Sequence, residues 1–241
     1  WISGRIIGLI IVFVLFTIIL WVKYRIHFFN WTVSDTEKYA KMKIYFFWAF
    51  ISALFSVGVK NLDVIIISEF YGDNVLTGVF KLSILFFTAF GLFGQSITSA
   101  LFHRFAQLED KKSMLYKFSL KIKLFSIPIY SFIAFILLLF SSDILFILFN
   151  DKYILLHDII RVIIVASIFQ IYIFINGGIW AAIGDMKLNT QFFTVYSIIY
   201  ILLLIFTLIQ FDFINFPYAI LVGTIFGAVY SELLLRKRLL T

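Results

Sequence analysis

Among the ionisable side chains that interrupt otherwise apolar segments of this chain, five are the strongest candidates for chemistry. Lys60 and Asp63 share one segment, and Lys81 lies in the next. Asp158 and Arg161 share a later one, and three positions separate the members of each acid–base pair. An ionisable group inside a membrane-spanning helix is costly, so it usually faces the interior of a helix bundle or a water-filled cavity. The pattern indicates either structural ion pairs or a site for a charged ligand.

The composition excludes a soluble globular protein. Of the 241 residues, 63% are hydrophobic, 20% are aromatic and only 14% are charged, with a mean hydropathy of +1.05. The net charge of +7 would suit nucleic acid, but the basic residues border long apolar runs, so we expect them to contact anionic lipid headgroups. The chain has no cysteine, which excludes disulfides and thiolate metal sites.

Seven apolar stretches are long enough, or nearly so, for the ~20 helical residues that cross a bilayer. They are 6–22, 44–70, 75–102, 124–140, 154–175, 192–209 and 216–235. We therefore predict an all-α fold, a polytopic transmembrane helix bundle with about seven spanning helices. The apolar stretch 144–149 is too short to span a membrane, and we expect it to lie at the outer interface or to enter the membrane part-way.

Charge alternates from one predicted linker to the next. The linkers at 23–43 and 103–123 are rich in lysine and arginine, and the chain closes on Arg236, Lys237 and Arg238. The intervening linkers are acidic or carry few bases. Because cytoplasmic loops hold the excess of basic residues, this alternation predicts a cytoplasmic C-terminus and a first crossing that begins outside.

Polar residues follow one face of each of three predicted helices at the ~100° spacing of an α-helix. The faces comprise Ser52, Ser56, Lys60 and Asp63 in the second crossing; Thr77, Lys81, Thr88, Gln95 and Ser99 in the third; and Asp158, Arg161, Tyr172 and Asn176 in the fifth. At about 1.5 Å of rise per residue, Lys60, Lys81 and Arg161 lie roughly 10 to 15 Å below the outer surface. We therefore predict that the three faces converge on a net cationic ring.

Two interpretations of this ring remain open. Lys60 with Asp63, and Asp158 with Arg161, can be self-neutralised pairs that hold helices together. Alternatively, the ring surrounds a hydrated basic cavity for an anionic substrate, because Lys81 has no acidic partner on its own helix. Arginine forks onto phosphate oxygens and lysine acts as a point charge, so this interpretation favours phosphate or pyrophosphate as the ligand.

Nothing in the sequence indicates covalent catalysis or metal binding. His27, His103 and His157 lie in different regions, without the spacing of a zinc site. No Ser/His/Asp set, Walker loop or Gly-x-Gly-x-x-Gly motif occurs. We therefore predict no catalytic residues, no metal, no cofactor and no enzyme activity.

Four short motifs carry a resemblance to a known family. They are 63–67 with Phe70-Tyr71-Gly72 and Gly78-Val79-Phe80, then 100–108, 148–153 and 180–187. In order and spacing they resemble the C-terminal half of Wzx-type polysaccharide flippases, which belong to the multidrug/oligosaccharidyl-lipid/polysaccharide exporter superfamily. Phe80, His103 and Asn150 stand where that family often has tyrosine, proline and glycine.

The resemblance implies that 1–42 holds the last helix of an N-terminal lobe with its cytoplasmic linker. Residues 43–241 would then form a C-terminal six-helix transmembrane lobe, and five further crossings would precede this chain in a two-lobed transporter. The implied function is the flipping of an undecaprenyl pyrophosphate-linked oligosaccharide across the bacterial cytoplasmic membrane by alternating access. The glycan would serve surface polysaccharide synthesis, such as that of O-antigen.

The resemblance also suggests roles for the polar faces. Lys60, Lys81 and Arg161 would attract the pyrophosphate. Asp63 or Asp158 would couple transport to protons or sodium, or would simply neutralise a neighbouring base. Five uncharged residues would line the path: Ser56, Thr88, Gln95, Tyr172 and Asn176. The expected partners are the lipid-linked substrate, membrane lipids and the upstream lobe.

Two other functions remain open. A multidrug or small-solute, cation-coupled antiporter of the same superfamily would need an acidic cavity, which a net cationic ring disfavours. A membrane polysaccharide polymerase or glycosyltransferase would need catalytic groups on a long outer loop, whereas the predicted outer linkers are short. The transporter of a lipid-linked glycan is therefore the function that the sequence favours.

Overall fold

The part of the chain that the structure describes is built from helices. The computed structural model describes residues 36–149 and 154–240, and it contains no strand in these ranges. Seven α-helices occupy them: α1 Thr36–Tyr71, α2 Asn74–Gln107, α3 Lys112–Leu139, α4 Ser141–Phe149, α5 Ile154–Ala182, α6 Met186–Gln210 and α7 Phe216–Leu240. A 3₁₀-helix, Phe213–Asn215, precedes the last of them.

Five segments of the described chain are long and apolar enough to cross a membrane. They are Val75–Gln107, Lys112–Leu139, Leu156–Ala182, Met186–Gln210 and Phe213–Leu240. These segments confirm the predicted class, an all-α bundle of a multi-pass membrane protein. The predicted crossing 44–70 lies within α1, whereas 6–22 lies outside the described residues. Helix α4 has nine residues, too few to cross.

The chain divides into two compact units, Trp1–Ile44 and Tyr45–Thr241. The described part of the first unit is the opening of α1, at 36–44. The second unit contains the remainder of α1 and the other described helices. The assignment of 1–42 and 43–241 to different lobes of a transporter stays a prediction.

Helix α5 occupies the centre of the second unit. It packs against α2, α3, α6 and α7, and 50% of its membrane-spanning window is buried. Its buried residues point to different sides: Ile171, Ile173 and Ile179 project in three directions at ~100° per residue. A helix that is apolar on every side is stable when neighbours surround it, so its composition favours the central position.

Glycines allow α2 and α5 to approach each other closely. A Cβ atom added to Gly178 of α5 would overlap the side-chain methyl group of Thr98 on α2. On α2, a Cβ atom added to Gly94 would come within 2.9 Å of the Phe174 ring of α5. Small residues at such crossings permit close van der Waals packing, which drives helix association in membranes. The α2–α5 contact therefore depends on the lack of side chains at these positions.

Two tight turns join consecutive helices. Gly72, between α1 and α2, has φ +60°, and Gly184, between α5 and α6, has φ +73°. Glycine adopts this left-handed conformation without strain. Asp73 then caps α2, and Asp185 caps α6, each by accepting a backbone N–H from the first turn. Glycine stops one helix and aspartate starts the next at both turns.

Replacing Gly178 with alanine is expected to destabilise the fold by about 1 to 3 kcal/mol, because the added methyl group would force α2 and α5 apart. The measurement is the thermal unfolding midpoint of the purified protein in lipid nanodiscs. Gly78→Ala in α2 is the matched control, since a Cβ atom there meets no atom within 4 Å. Equal midpoints for the two variants would contradict the close approach.

Candidate functional site

A cavity of about 520 Å³ lies among α1, α2, α5 and α6, with Ile220 of α7 in its wall. Hydroxyl and amide groups come from Ser56, Thr88, Gln95, Thr98, Ser99, Gln170, Asn189 and Ser197. Aromatic rings come from Phe87, Phe102, Phe174, Phe193, Tyr196 and Tyr200. Asp63 is the one charged residue among the described lining residues. The cavity is therefore lined mainly by apolar and aromatic groups, with hydroxyl, amide and carboxylate groups among them.

Five of the residues on the predicted polar faces line this cavity. Ser56 and Asp63 come from α1, and Thr88, Gln95 and Ser99 come from α2. Their spacings of seven and four positions are close to two turns and one turn, so the members of each set share a helix face. The structure brings parts of these two faces together at the cavity.

The three predicted bases do not share this cavity in the described part of the chain. Lys81 and Arg161 have exposed side chains and are not among the lining residues. Lys81 shares a face of α2 with Thr88 but lies ~10 Å away along the axis. Arg161 points about 180° away from Gln170 around α5. Lys60 belongs to α1, but its side chain lies outside the described part.

Asp158 also lies away from the cavity. Its side chain is exposed, and Oδ1 lies 3.3 Å from Nδ1 of His157. His157 Nε2 lies 2.7 Å from the hydroxyl of Ser142 on α4. Among the described residues, no ion pair joins Asp158 to Arg161. The predicted net cationic ring is thus not the wall of this cavity, because helix periodicity gives neither the depth of a cavity nor the mutual rotation of packed helices.

Asp63 is fixed in the wall by hydrogen bonds to both of its carboxylate oxygens. The residue is 2% exposed. The backbone N–H of Val64 donates to Oδ1 at 2.7 Å, and the Tyr200 hydroxyl donates to Oδ2 at 3.2 Å. A Cβ atom added to Gly223 of α7 would come within 3.3 Å of the Tyr200 ring. The carboxylate therefore links α1 to α6, and a glycine on α7 makes room for the tyrosine.

Further polar contacts join α1 to α6. The amide nitrogen of Asn189 donates to the Ser52 hydroxyl at 3.1 Å. One residue later, the Thr190 hydroxyl donates to the backbone carbonyl of Trp48 at 2.8 Å. Ser52 and Asn189 are buried, so these contacts replace hydrogen bonds that water does not supply. The α1 wall of the cavity is therefore positioned by directional contacts with α6.

A second polar cluster lies between α3, α5 and α7. Lys123 of α3 is 1% exposed, and its Nζ lies 2.5 Å from Oε2 of Glu232 on α7. The Tyr116 hydroxyl donates to Oε1 at 3.3 Å, and the Asn176 amide donates to Oε2 at 3.4 Å. The Tyr172 ring centre lies 5.6 Å from Nζ. Tyr172 and Asn176, predicted to line a substrate path, belong to this cluster and are not among the residues that line the cavity.

Sequence reasoning missed the two charged members of this cluster. It assigns Lys123 to the basic linker 103–123, but α3 begins at Lys112 and carries Lys123 about three turns further along. Glu232 falls inside the predicted crossing 216–235, so the rule that singles out Asp63 applies to it as well. Nothing in the sequence indicates that these two residues meet.

Replacing Glu232 with leucine is expected to destabilise the protein by about 3 kcal/mol or more, because Lys123 would be left buried without its partner. The double variant Lys123→Met/Glu232→Leu should recover most of this loss. The measurement is the free energy of unfolding of each variant, with Lys117→Met, at an exposed position of α3, as the control. Strictly additive effects of the two single substitutions would contradict a coupled pair.

No family model matches this chain, and no curated protein or solved structure shows significant similarity to it. The resemblance to polysaccharide flippases therefore stays a prediction from four short motifs. The motif at 180–187 coincides with the turn between α5 and α6, and the motif at 148–153 extends outside the described residues. The cavity and its hydrogen-bonding groups are the structural basis for a functional proposal.

Proposed function

We propose that this chain is part of a transporter that flips a lipid-linked oligosaccharide across a bacterial cytoplasmic membrane by alternating access. The observation that supports this best is a cavity of about 520 Å³ with polar and aromatic walls, enclosed by helices of membrane-spanning length. Polar residues inside a membrane bundle are costly and are usually functional. The cavity is therefore a candidate passage for a polar headgroup.

The chemistry of the cavity wall suits a sugar. Hydroxyl and amide side chains can exchange hydrogen bonds with glycan hydroxyls. Aromatic rings such as Phe174 and Phe193 offer flat apolar surfaces against which a sugar ring can pack. The volume falls in the range of roughly 300 to 1,000 Å³ that is common for small-molecule sites. We infer that the sugars nearest the lipid occupy the cavity while the lipid tail stays in hydrocarbon.

In this proposal the pyrophosphate of the substrate binds outside the cavity. Lys81 and Arg161 are exposed outside the cavity, and ammonium and guanidinium groups both bind phosphate oxygens. Lys60 stays a candidate for the same role. Asp63, buried in the cavity wall, is the candidate for coupling transport to a proton or a sodium ion. An upstream lobe would complete the transporter.

The positions of the basic residues determine the proposed orientation of the bundle in the membrane. Arg236, Lys237 and Arg238 lie at the C-terminal end of α7, and Lys112 opens α3. Arg238 Nε donates to a carboxylate oxygen of Asp185 at 2.7 Å, which ties the end of α7 to the turn between α5 and α6. Because basic loops favour the cytoplasmic side, this end of the bundle would face the cytoplasm.

Two serines of α2 provide a matched test of transport. Both side chains are exposed, but Ser99 lines the cavity, whereas Ser96 is not among the lining residues. In cells that lack the chromosomal copy, Ser99→Trp is expected to leave surface polysaccharide largely absent, because the indole would fill the passage. Ser96→Trp is expected to restore it. Surface polysaccharide is measured by immunoblotting, and membrane levels of both variants by quantitative blotting of the protein.

Either of two results from the same strains would contradict the proposal. Normal polysaccharide in cells that lack the protein would contradict a flippase. Normal polysaccharide with Ser99→Trp, at parental membrane levels, would contradict passage through this cavity.

One observation favours a second candidate, the transport of organic cations. Asp63 is the one charged residue of the described lining, and a carboxylate among aromatic rings suits a cationic ligand. Ethidium accumulation by energised, inverted membrane vesicles separates the two functions. Accumulation that requires the protein and is lost in Asp63→Asn would favour the antiporter. Equal accumulation with and without the protein is expected for the flippase.

A further inference from the structure

Two buried amide oxygens in the cavity wall have no hydrogen-bond partner in the described part of the chain. Gln170 on α5 and Asn189 on α6 are each 7% exposed, and neither Gln170 Oε1 nor Asn189 Oδ1 is paired. Buried polar groups of folded proteins are nearly always paired, because the hydrogen bond lost from water is otherwise not replaced. Both residues line the cavity, but the two oxygens themselves are closed off from solvent, so a ligand inside it can supply the missing donors only after neighbouring side chains move aside.

A glycine lies beside each of the two oxygens. Gln170 Oε1 lies 3.2 Å from the position that a Cβ atom on Gly91 would occupy. Asn189 Oδ1 lies 3.6 Å from the corresponding position on Gly177, which itself lines the cavity. A side chain at Gly91 would crowd Gln170 Oε1 and the Phe174 ring, whereas a methyl group at Gly177 would meet Asn189 Oδ1 only at ordinary contact distance. Gln170 Oε1 therefore lies at the close contact of α2 with α5, and Asn189 Oδ1 lies beside a residue of the cavity wall.

The surrounding polar groups narrow the class of ligand. The Asn189 amide nitrogen already donates to Ser52, which leaves its oxygen to the cavity. Both oxygens of Asp63 already accept hydrogen bonds, from Val64 and Tyr200, so the carboxylate is engaged within the protein. Ionised phosphate oxygens only accept hydrogen bonds, so they cannot donate to the two amide oxygens. A neutral ligand rich in donors fits this wall better than an anion or an organic cation.

We propose that Gln170 and Asn189 form a neutral subsite for a sugar of the transported headgroup, which donates hydroxyl or acetamido N–H groups to the two amide oxygens. This inference rests on the proposed transport function and specifies the part of the substrate that the cavity holds. The pyrophosphate lies outside this subsite. Phe174 and Phe193 of the same cavity supply apolar surfaces for the sugar ring.

Gln170→Met tests the subsite, because methionine keeps the length of the side chain and removes only its amide. The probe is N,N′-diacetylchitobiose, titrated against the full-length protein in detergent-free lipid nanodiscs by saturation-transfer NMR. Binding is expected to weaken about tenfold, the usual loss for one neutral hydrogen bond. The thermal midpoint without sugar is expected to stay equal or to rise, because the variant removes an unpaired buried oxygen. Gln191→Met, at an exposed position of α6, is the matched control and should bind like the parent.

Gly177→Ala provides an independent test at the other oxygen. The added methyl group would lie at ordinary contact distance from Asn189 Oδ1, so the fold should tolerate it while the space for a sugar donor shrinks. Sugar binding is expected to fall at least several-fold with no loss of thermal stability. Gly78→Ala controls for the effect of alanine in a helix, since a Cβ atom there meets nothing within 4 Å.

Each of the following outcomes would contradict the proposed subsite. Parental affinity in both Gln170→Met and Gly177→Ala would show that the oxygens do not contact sugar. No detectable binding of the sugar by the parent, or binding of inorganic pyrophosphate with the same sensitivity to Gln170→Met, would do so as well. Loss of thermal stability in Gln170→Met would assign the amide a structural role. Measurements of polysaccharide export distinguish failure of the proposed function from failure of the subsite. Normal export in cells that lack the protein would contradict the transport function. Parental sugar binding and parental export in both variants would contradict only the subsite.

Discussion

Polar side chains inside an apolar bundle must find partners within the protein, and in this chain those pairs determine which helices are neighbours. Asp63 and Tyr200 join α1 to α6, and Lys123 and Glu232 join α3 to α7. Polar contacts between membrane helices contribute only ~0.6 to 2 kcal/mol each. The contacts are directional, however, so they select one packing among the many that interchangeable Leu, Ile and Phe side chains would permit. Without them the bundle would keep its helices and lose its specific arrangement.

The central helix explains why a cavity and a buried ion pair lie close together in one small bundle. Gln170 and Gly177 share the face of α5 that lines the cavity, whereas Asn176 projects from another side and donates to Glu232. Close packing against α2, at Gly178, fixes the position of α5 between these two polar regions. Asn176 Oδ1 and Trp180 Nε1 of α5 are also buried without a partner in the described part of the chain, so what distinguishes the oxygens of Gln170 and Asn189 is their place in the cavity wall.

Sequence patterns predict the helices because length and apolarity alone decide which segments can cross a membrane. They miss the start of α3, since polar residues beyond the hydrocarbon can continue a helix, and so they miss the burial of Lys123. Periodicity groups Ser56 with Asp63 correctly, because seven positions return to the same face. It does not reveal which faces meet or how deep a cavity runs, and Lys81 and Arg161 are therefore placed in a ring that does not line the cavity. Three-dimensional packing supplies that information.

The most direct measurement is the movement of a lipid-linked glycan in reconstituted vesicles. Full-length protein is inserted into liposomes that carry undecaprenyl pyrophosphate-linked oligosaccharide, and a membrane-impermeant glycosidase is added outside. If the cavity passes the glycan, substrate that is initially protected in the inner leaflet becomes cleavable in vesicles with the parent protein. In vesicles whose cavity is filled by Ser99→Trp it stays protected. Cleavage at the same slow rate in protein-containing and empty liposomes, with the coupling ion gradients applied, would contradict the transport of this class of substrate.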